Sequence, residues 1–278
     1  MNKTNTFTLE TLPPVSEMMR NAGLVPKKQF GQNFLFDLNL TGRIARSVPN
    51  ISTTPVIEVG PGPGGLTRAL LMAGAPRVIA IEMDKTTAPI LNEIARAATS
   101  RLTIIYDDAL RVDFAGLGVS SYAICSNLPY NVGTELLVQW LIRAAHGAPI
   151  KSMTLMFQRE VAQRITARVG NDQYGRLAVL TALVADAQIL FDVPNTAFVP
   201  RPRVQSAVVR VIPNPKKIAS LPDIAKIEKI TALLFGHRRK MIRGIIPNVD
   251  WERFGLRGTE RAEELSPETF AQLARDLI

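Results

Sequence analysis

Cysteine is almost absent: Cys125 stands alone in 278 residues, so no internal disulfide can form, and the chain reads as the product of a reducing compartment. Histidine is nearly as scarce. His146 and His237 lie far apart, and no zinc-ligand spacing exists around either, which excludes a metal site of the usual kind. Long hydrophobic runs are lacking as well. The most apolar stretch, Leu177 to Phe191, is interrupted by Thr181, Asp186 and Gln188, and Met1 to Thr11 is polar, so neither a membrane span nor a secretory leader is expected. The cytoplasm is the expected location. Internal repeats and low-complexity tracts are missing too.

What is present is a globular composition, 46% hydrophobic and 21% charged, with a cationic excess: Lys and Arg number 33 against 24 Asp and Glu, a net charge of +9. That balance favours a polyanionic partner. The excess is concentrated late in the chain. Residues 201–217 hold Arg201, Arg203, Arg210, Lys216 and Lys217 with no acid, and residues 226–243 hold Lys226, Lys229, Arg238, Arg239, Lys240 and Arg243 against Glu228 alone.

Residues 1–211 form the first expected domain, an arm followed by alternating short β-branched runs and longer helical patterns. In the arm, Asp37 is a candidate N-cap for a helix running to about Val48, where Pro49 ends it. Val56–Val59, Val78–Glu82, Thr103–Tyr106, Ala123–Ser126 and Met153–Phe157 read as buried strands, with helices predicted over Leu66–Ala73, Lys85–Ala98, Gly133–Ala145, Arg159–Arg168 and Arg176–Ala185. Strands alternating with helices imply a parallel, Rossmann-like sheet covered on both faces. Two further β-rich runs, Gln188–Val193 and Val204–Val211, predict an antiparallel hairpin at one sheet edge. Past Pro213-Asn214-Pro215 strand signal ends, while Ile227, Ile230, Leu233 and Leu234 recur at helical spacing, so residues 212–278 are expected to be a small all-α domain.

The first strand runs into Gly60-Pro61-Gly62-Pro63-Gly64-Gly65, a turn entering a helix. Gly60, Gly62 and Gly65 match G-x-G-x-x-G, and Glu82, at the end of the second strand, is placed to hold a ribose. A nucleoside-bearing cofactor fits this pattern. A nicotinamide dinucleotide fits less well, because Pro61 and Pro63 remove two N–H donors from the loop that would have to cradle its pyrophosphate. S-adenosylmethionine has no phosphates. On that reading Gly60 and Gly62 face its methionine part, Glu82 accepts from the ribose hydroxyls, and Asp107 or Asp108 accepts from the adenine amine.

After the fourth strand comes Asn127-Leu128-Pro129-Tyr130. The exocyclic amine of adenine is a weak nucleophile, its lone pair being delocalised into the ring. The Asn127 side-chain oxygen and a backbone carbonyl beside Pro129 can accept its two N–H bonds and localise that pair, while Tyr130 stacks on an extruded base.

Lys28 to Leu35, Glu58 to Thr67, Asn127 to Tyr130 and Phe198 to Val209 together resemble the bacterial small-subunit ribosomal RNA adenine dimethyltransferases, in family order over most of the chain. The resemblance implies a Rossmann-like S-adenosylmethionine-dependent methyltransferase sheet with a small all-α C-terminal domain. It also implies N6,N6-dimethylation of two adjacent adenosines near the 3′ end of small-subunit rRNA in an assembling ribosomal subunit. Carried over by position, cofactor contacts fall on Asn33, Leu35, Gly60, Glu82, Asp108 and Asn127, with Asn127 and Pro129 in the catalytic motif and Tyr130 and Phe198 matching the family's base-sandwiching aromatics. His237 to Lys240 resembles the family's C-terminal basic helix; at i,i+4 and i,i+3 spacing Arg239 and Lys240 each share a face with Arg243, while Leu233, Leu234, Met241 and Ile242 are expected to pack on the opposite side. Val132-Gly133-Thr134-Glu135 departs from the family pattern where the next helix begins. A monomer, with neither DNA nor a membrane as partner, is expected. The Phe198 to Val209 stretch argues against the related large-subunit rRNA methyltransferases that confer macrolide resistance. Asn127 together with Glu82 argues against an RNA-binding assembly factor without catalysis.

Overall fold

Short runs of valine and isoleucine build the centre of a sheet. Among the residues described in the computed structural model, 8–26 and 32–278, the strands are β1 (Phe34–Leu35), β2 (Val56–Val59), β3 (Val78–Ile81), β4 (Leu102–Ile105), β5 (Tyr122–Asn127), β6 (Ile150–Gln158), β7 (Ala185–Val193), β8 (Phe198–Val199) and β9 (Ser206–Pro213). Seven of them form one mixed sheet in the order β4-β3-β2-β5-β6-β9-β7. Pairings β3–β4, β2–β3, β2–β5 and β5–β6 are parallel. β2 and β3 are buried at every position, as both-face coverage requires of central parallel strands, whereas in the outermost strand β4 only Leu102 is buried. The chain runs outward from β2 through β3 to β4, then returns to β5 on the other side of β2. That reversal creates a crevice at the carboxyl ends of the strands, the usual ligand position in an open α/β sheet.

The helices are α1 (Val15–Asn21), α2 (Leu38–Arg46), α3 (Gly65–Met72), α4 (Ala88–Ala97), α5 (Gly133–Ala145), α6 (Arg159–Thr166), α7 (Arg176–Val184), α8 (Pro215–Ile218), α9 (Ile224–Phe235) and α10 (Pro267–Leu277). Asp37 caps α2 by accepting from the amides of Asn39 and Leu40. α1 was not expected from the sequence. It follows Pro13-Pro14 and buries Val15, Met18 and Met19 at helical spacing, and its approach is fixed by the buried Arg68 of α3, which donates to the carbonyls of Leu12 (3.0 Å) and Pro13 (2.8 Å).

The chain divides into two compact units, one made of residues up to 136, 149–159 and 190–210, the other of 137–148, 160–189 and 211–278. The last segment of the second unit is Val211–Ile278, and α8 to α10 form its C-terminal helical part. α7, α9 and α10 pack on one another. Phe235 stacks on Phe270 with centroids 5.4 Å apart, and the Tyr174 hydroxyl donates to the Leu265 carbonyl at 3.0 Å.

The two β-rich runs expected at one sheet edge are neighbours there as β9 and β7, and the proline-containing connection between them carries β8, which pairs antiparallel with β1 in a separate two-stranded sheet. One expectation is corrected: residues 237–240 are not helical. α9 stops at Phe235, and the amides of Ile242 and Arg243 donate to the carbonyls of Glu260 and Gly258 at 2.9 and 3.0 Å, so the backbone leaves the helical ladder for a long-range pairing. The one-face arrangement of Arg239, Lys240 and Arg243 therefore does not exist, and Met241, expected to pack inward, is exposed.

Candidate active site

A cavity of about 350 Å³ opens at the carboxyl ends of β2, β3, β4 and β5. The strand ends deliver its wall in sequence order: Gly60 and Gly62 after β2, Glu82 and Met83 after β3, Asp107 and Asp108 after β4, and Asn127 to Val132 from β5. Gln32, Asn33 and Phe34 close one side. Lys28 to Gly31, the start of the motif that ends at Leu35, lie outside the described residues.

The glycines make room for this closure. Gly62 has φ +55°, and a Cβ there would sit 2.8 Å from the Phe34 ring; at Gly65 a Cβ would meet the Leu35 carbonyl oxygen at 2.5 Å. No side chain larger than hydrogen fits beneath the β1 segment at these two points. Leu35 itself is buried and lines a small side cavity with Glu58 and Asn127 rather than the main one.

Glu82 is 6% exposed. Its two carboxylate oxygens accept from the amides of Gly62 and Asp84, each at 2.8 Å, which ties the glycine turn to the end of β3. Burial raises its pKa, and those backbone donors act against the rise. Each oxygen keeps a second lone-pair direction for a ligand hydroxyl. Asp108 spends one oxygen on the Leu110 amide at 3.0 Å, and Asp107 accepts from the Asp108 amide at 2.7 Å. Both line the cavity, so the choice between them for the adenine amine stays open.

The lining contains Glu82, Asp107 and Asp108 and, among the described residues, no lysine, arginine or histidine. A pyrophosphate would meet like charge with no cation in the described lining, the exposed Arg111 being paired with Asp108 at 3.8 Å, and the prolines at 61 and 63 withhold amides as well. A phosphate-free nucleoside with a positive centre has the opposite match. S-adenosylmethionine therefore fits these residues and a nicotinamide dinucleotide does not.

Asn127 ends β5, and its Nδ2 donates to the Asn33 carbonyl at 3.0 Å, leaving Oδ1 as the acceptor available to a ligand. The Pro129 carbonyl accepts from the amides of Val132 and Gly133 at 3.2 and 3.0 Å and so starts α5, which settles how the helix begins where the sequence departs from the family pattern. The Leu128 carbonyl has no donor among the described residues, making it the backbone acceptor beside Pro129. A Cβ on Gly60 would lie 3.6 Å from the Pro129 ring, so the glycine turn and the Asn127–Tyr130 segment approach closely. Tyr130 lines the cavity with its hydroxyl 2.6 Å from the Ser206 Oγ; Ser206 is fully buried, and burial raises the phenol pKa.

Phe198 is not brought to this cavity. It is 2% exposed, sits in the hydrophobic core and pairs with Leu35 across the β1–β8 ladder. Of the residues singled out from the sequence, Asn33, Gly60, Glu82, Asp108, Asn127, Pro129 and Tyr130 converge on the cavity, while Leu35 and Phe198 stand behind it.

Sequence reading missed Ser206 and Glu58. Nothing in the pattern marks a serine at the start of β9 as a partner of Tyr130. Glu58 stands in β2 where an apolar residue is expected; it is 1% exposed, accepts from the Thr67 hydroxyl at 2.6 Å, and burial pushes its pKa up to about 8. Arg238, expected on a free basic face, pairs with Glu263 and donates to the Asp172 carbonyl at 2.8 Å.

Comparison with known proteins places this geometry. A family model described as ribosomal RNA adenine dimethylase matches residues 24–277. A protein of Chelativorans sp. (strain BNC1) called ribosomal RNA small subunit methyltransferase A is 47% identical over 277 residues, covering 98% of this chain and all of its own. The like-named protein of Agrobacterium fabrum (strain C58 / ATCC 33970) is 47% identical over 275 residues, covering 97% and 99%. Among solved structures, a dimethyladenosine transferase from Plasmodium falciparum superposes with a TM-score of 0.75 at 23% identity, covering 86% of this chain and 95% of its own. The 23S rRNA methyltransferase ErmE gives 0.68 at 24% identity, covering 87% and 98%. These two establish likeness of fold.

Proposed function

Since the chain belongs to the ribosomal RNA adenine dimethylase family and is a methyltransferase that binds S-adenosylmethionine, we propose that it dimethylates N6 of two adjacent adenosines near the 3′ end of small-subunit rRNA during ribosome assembly in the cytoplasm. The observation that carries the reading is the pair of acceptors at Asn127 Oδ1 and the Leu128 carbonyl, beside a cavity wall suited to a phosphate-free nucleoside.

When bound, S-adenosylmethionine supplies an electrophilic methyl group. Gly60 and Glu82 would hold its methionine and ribose parts, with Asp107 or Asp108 at its base. Asn127 Oδ1 and the Leu128 carbonyl accept the two N–H bonds of the target amine and turn its lone pair out of conjugation. The Asn127–Asn33 bond holds the amide in the accepting orientation before substrate arrives, so little reorganisation is left to the reaction itself. The face of Tyr130 supports the extruded base, with its ring angle set by Ser206. Phe198, from the core, supports the β1 segment that carries Asn33.

Incubation with tritiated S-adenosylmethionine and unmethylated small subunits, large subunits or no RNA tests the reading. Label is expected in small subunits alone, with primer extension stopping at two neighbouring adenosines near the 3′ end. Label in large subunits only would replace this reading with that of a large-subunit enzyme.

A further inference from the structure

The segment from Val199 to Gln205 is fastened at both ends to residues that line the cavity. At its start Val199 pairs with Phe34, whose ring lines the cavity. At its end Ser206 bonds Tyr130, also a lining residue, and the Gln205 carbonyl accepts from the Arg159 amide at 2.9 Å. The seven-residue strap is thus tied at both ends to residues of one cavity wall, Phe34 and Tyr130. Pro200 and Pro202 restrict its backbone, Val199 and Val204 are 51% and 44% exposed, and Arg201 and Arg203 are both exposed. Neither arginine makes an ion pair or hydrogen bond among the described residues, unlike Arg159, Arg164, Arg238, Arg253 and Arg257, which all face carboxylates.

Two unneutralised guanidinium groups two residues apart in a proline-stiffened segment are organised before any ligand arrives, so little ordering entropy is lost when they engage a repeating anion. Among the described residues the cavity lining contains no cation, so it offers the polyanionic part of a substrate no counter-charge. Resting on the proposed function, we infer that the Val199–Gln205 strap grips the RNA backbone, with Arg201 and Arg203 on phosphates flanking the extruded adenosine and Val199 and Val204 against its neighbours.

The test uses the full chain and unmethylated small ribosomal subunits, with affinity measured by filter binding from low to high salt. In the doubly substituted R201Q/R203Q protein, the slope of log K against log salt should fall by about 0.7 for each phosphate no longer neutralised, about 1.4 for the pair. R201K/R203K should restore most of it, and S-adenosylmethionine affinity and melting temperature should match the parent. A photo-crosslinking residue in place of Val204 should join to RNA. An unchanged salt slope in R201Q/R203Q, or an adduct to a ribosomal protein instead of RNA, overturns the strap assignment. If the parent itself neither binds nor methylates the subunits, the functional reading falls and the strap falls with it; if the parent does both, the strap is judged alone.

Discussion

The end of the sheet that carries the cavity and the turn at 237–243 were both marked by their residue types, and they turned out differently. In the first, each functional side chain sits within a few residues of a strand end, so the parallel sheet decides where it points. In the second, side chains were assigned to a helix face, and the helix is not there. Arg238 serves Glu263 and the Asp172 carbonyl, and the backbone of 242–243 pairs with 258–260. A motif anchored to a buried strand keeps its geometry because the strand has no alternative partner. A charge run after the last turn of a helix has several.

The largest expected effect separates core from cavity. Phe198→Ala should cost about 3–5 kcal/mol of stability, as for other buried aromatics, and lower the melting temperature sharply. Tyr130→Leu should cost less stability, about 1–3 kcal/mol for the buried Ser206 hydroxyl left without its partner, while reducing methyl transfer. If Phe198→Leu and Phe198→Ala melt like the parent but lose activity, Phe198 belongs with the cavity after all.

Next comes Glu58, which the fold holds protonated to about pH 8. Below the ordinary carboxylate value of 4.5, folded and unfolded chains both carry the proton. Between there and about 8 the unfolded chain has released a proton that the folded chain keeps, so this residue makes stability fall as pH rises, the loss being complete above 8. Glu58→Gln keeps an acceptor for Thr67 and removes the titrating proton, so its melting temperature should vary less between about pH 5 and 8 than the parent's. Parallel profiles would show that Glu58 is ionised in the fold.

Asn127→Ala should lower the single-turnover rate by about 10²–10³ at saturating cofactor and RNA, with RNA affinity little changed, as for loss of one preorganised polar partner. A rate within about threefold of the parent would remove Asn127 from the chemistry. The smallest effect is assigned to Arg238: a part-exposed ion pair is worth at most about 1 kcal/mol. Arg238→Gln should therefore shift melting slightly and leave the salt dependence of subunit binding as it was. A clear drop in salt slope would return this turn to the RNA interface and weaken the contrast between the two regions.

Much of the site was legible because the order of residues along the chain becomes the order of strand ends around a crevice. Gly60, Glu82, Asp108 and Asn127 each end or follow a short strand of the parallel sheet, and parallel crossovers leave no other edge for them to reach. Asn33 was placed only by its motif. The α1 helix escaped notice because seven residues give a weak periodic signal, and its position depends on Arg68, far away in the chain.

By itself, the amino-acid order determined the alternation of strands and helices, the glycine turn that admits a cofactor, and the exclusion of an internal disulfide, since these follow from burial periodicity, local sterics and the single cysteine. Only the tertiary structure decided that Asn127 commits its Nδ2 to Asn33, that the Leu128 carbonyl beside Pro129 has no donor among the described residues, that Ser206 steadies Tyr130 and that Phe198 lies in the core. The Asn127–Asn33 and Tyr130–Ser206 bonds join partners 94 and 76 residues apart, and interactions closed across that much chain leave no periodic trace in the residues that make them.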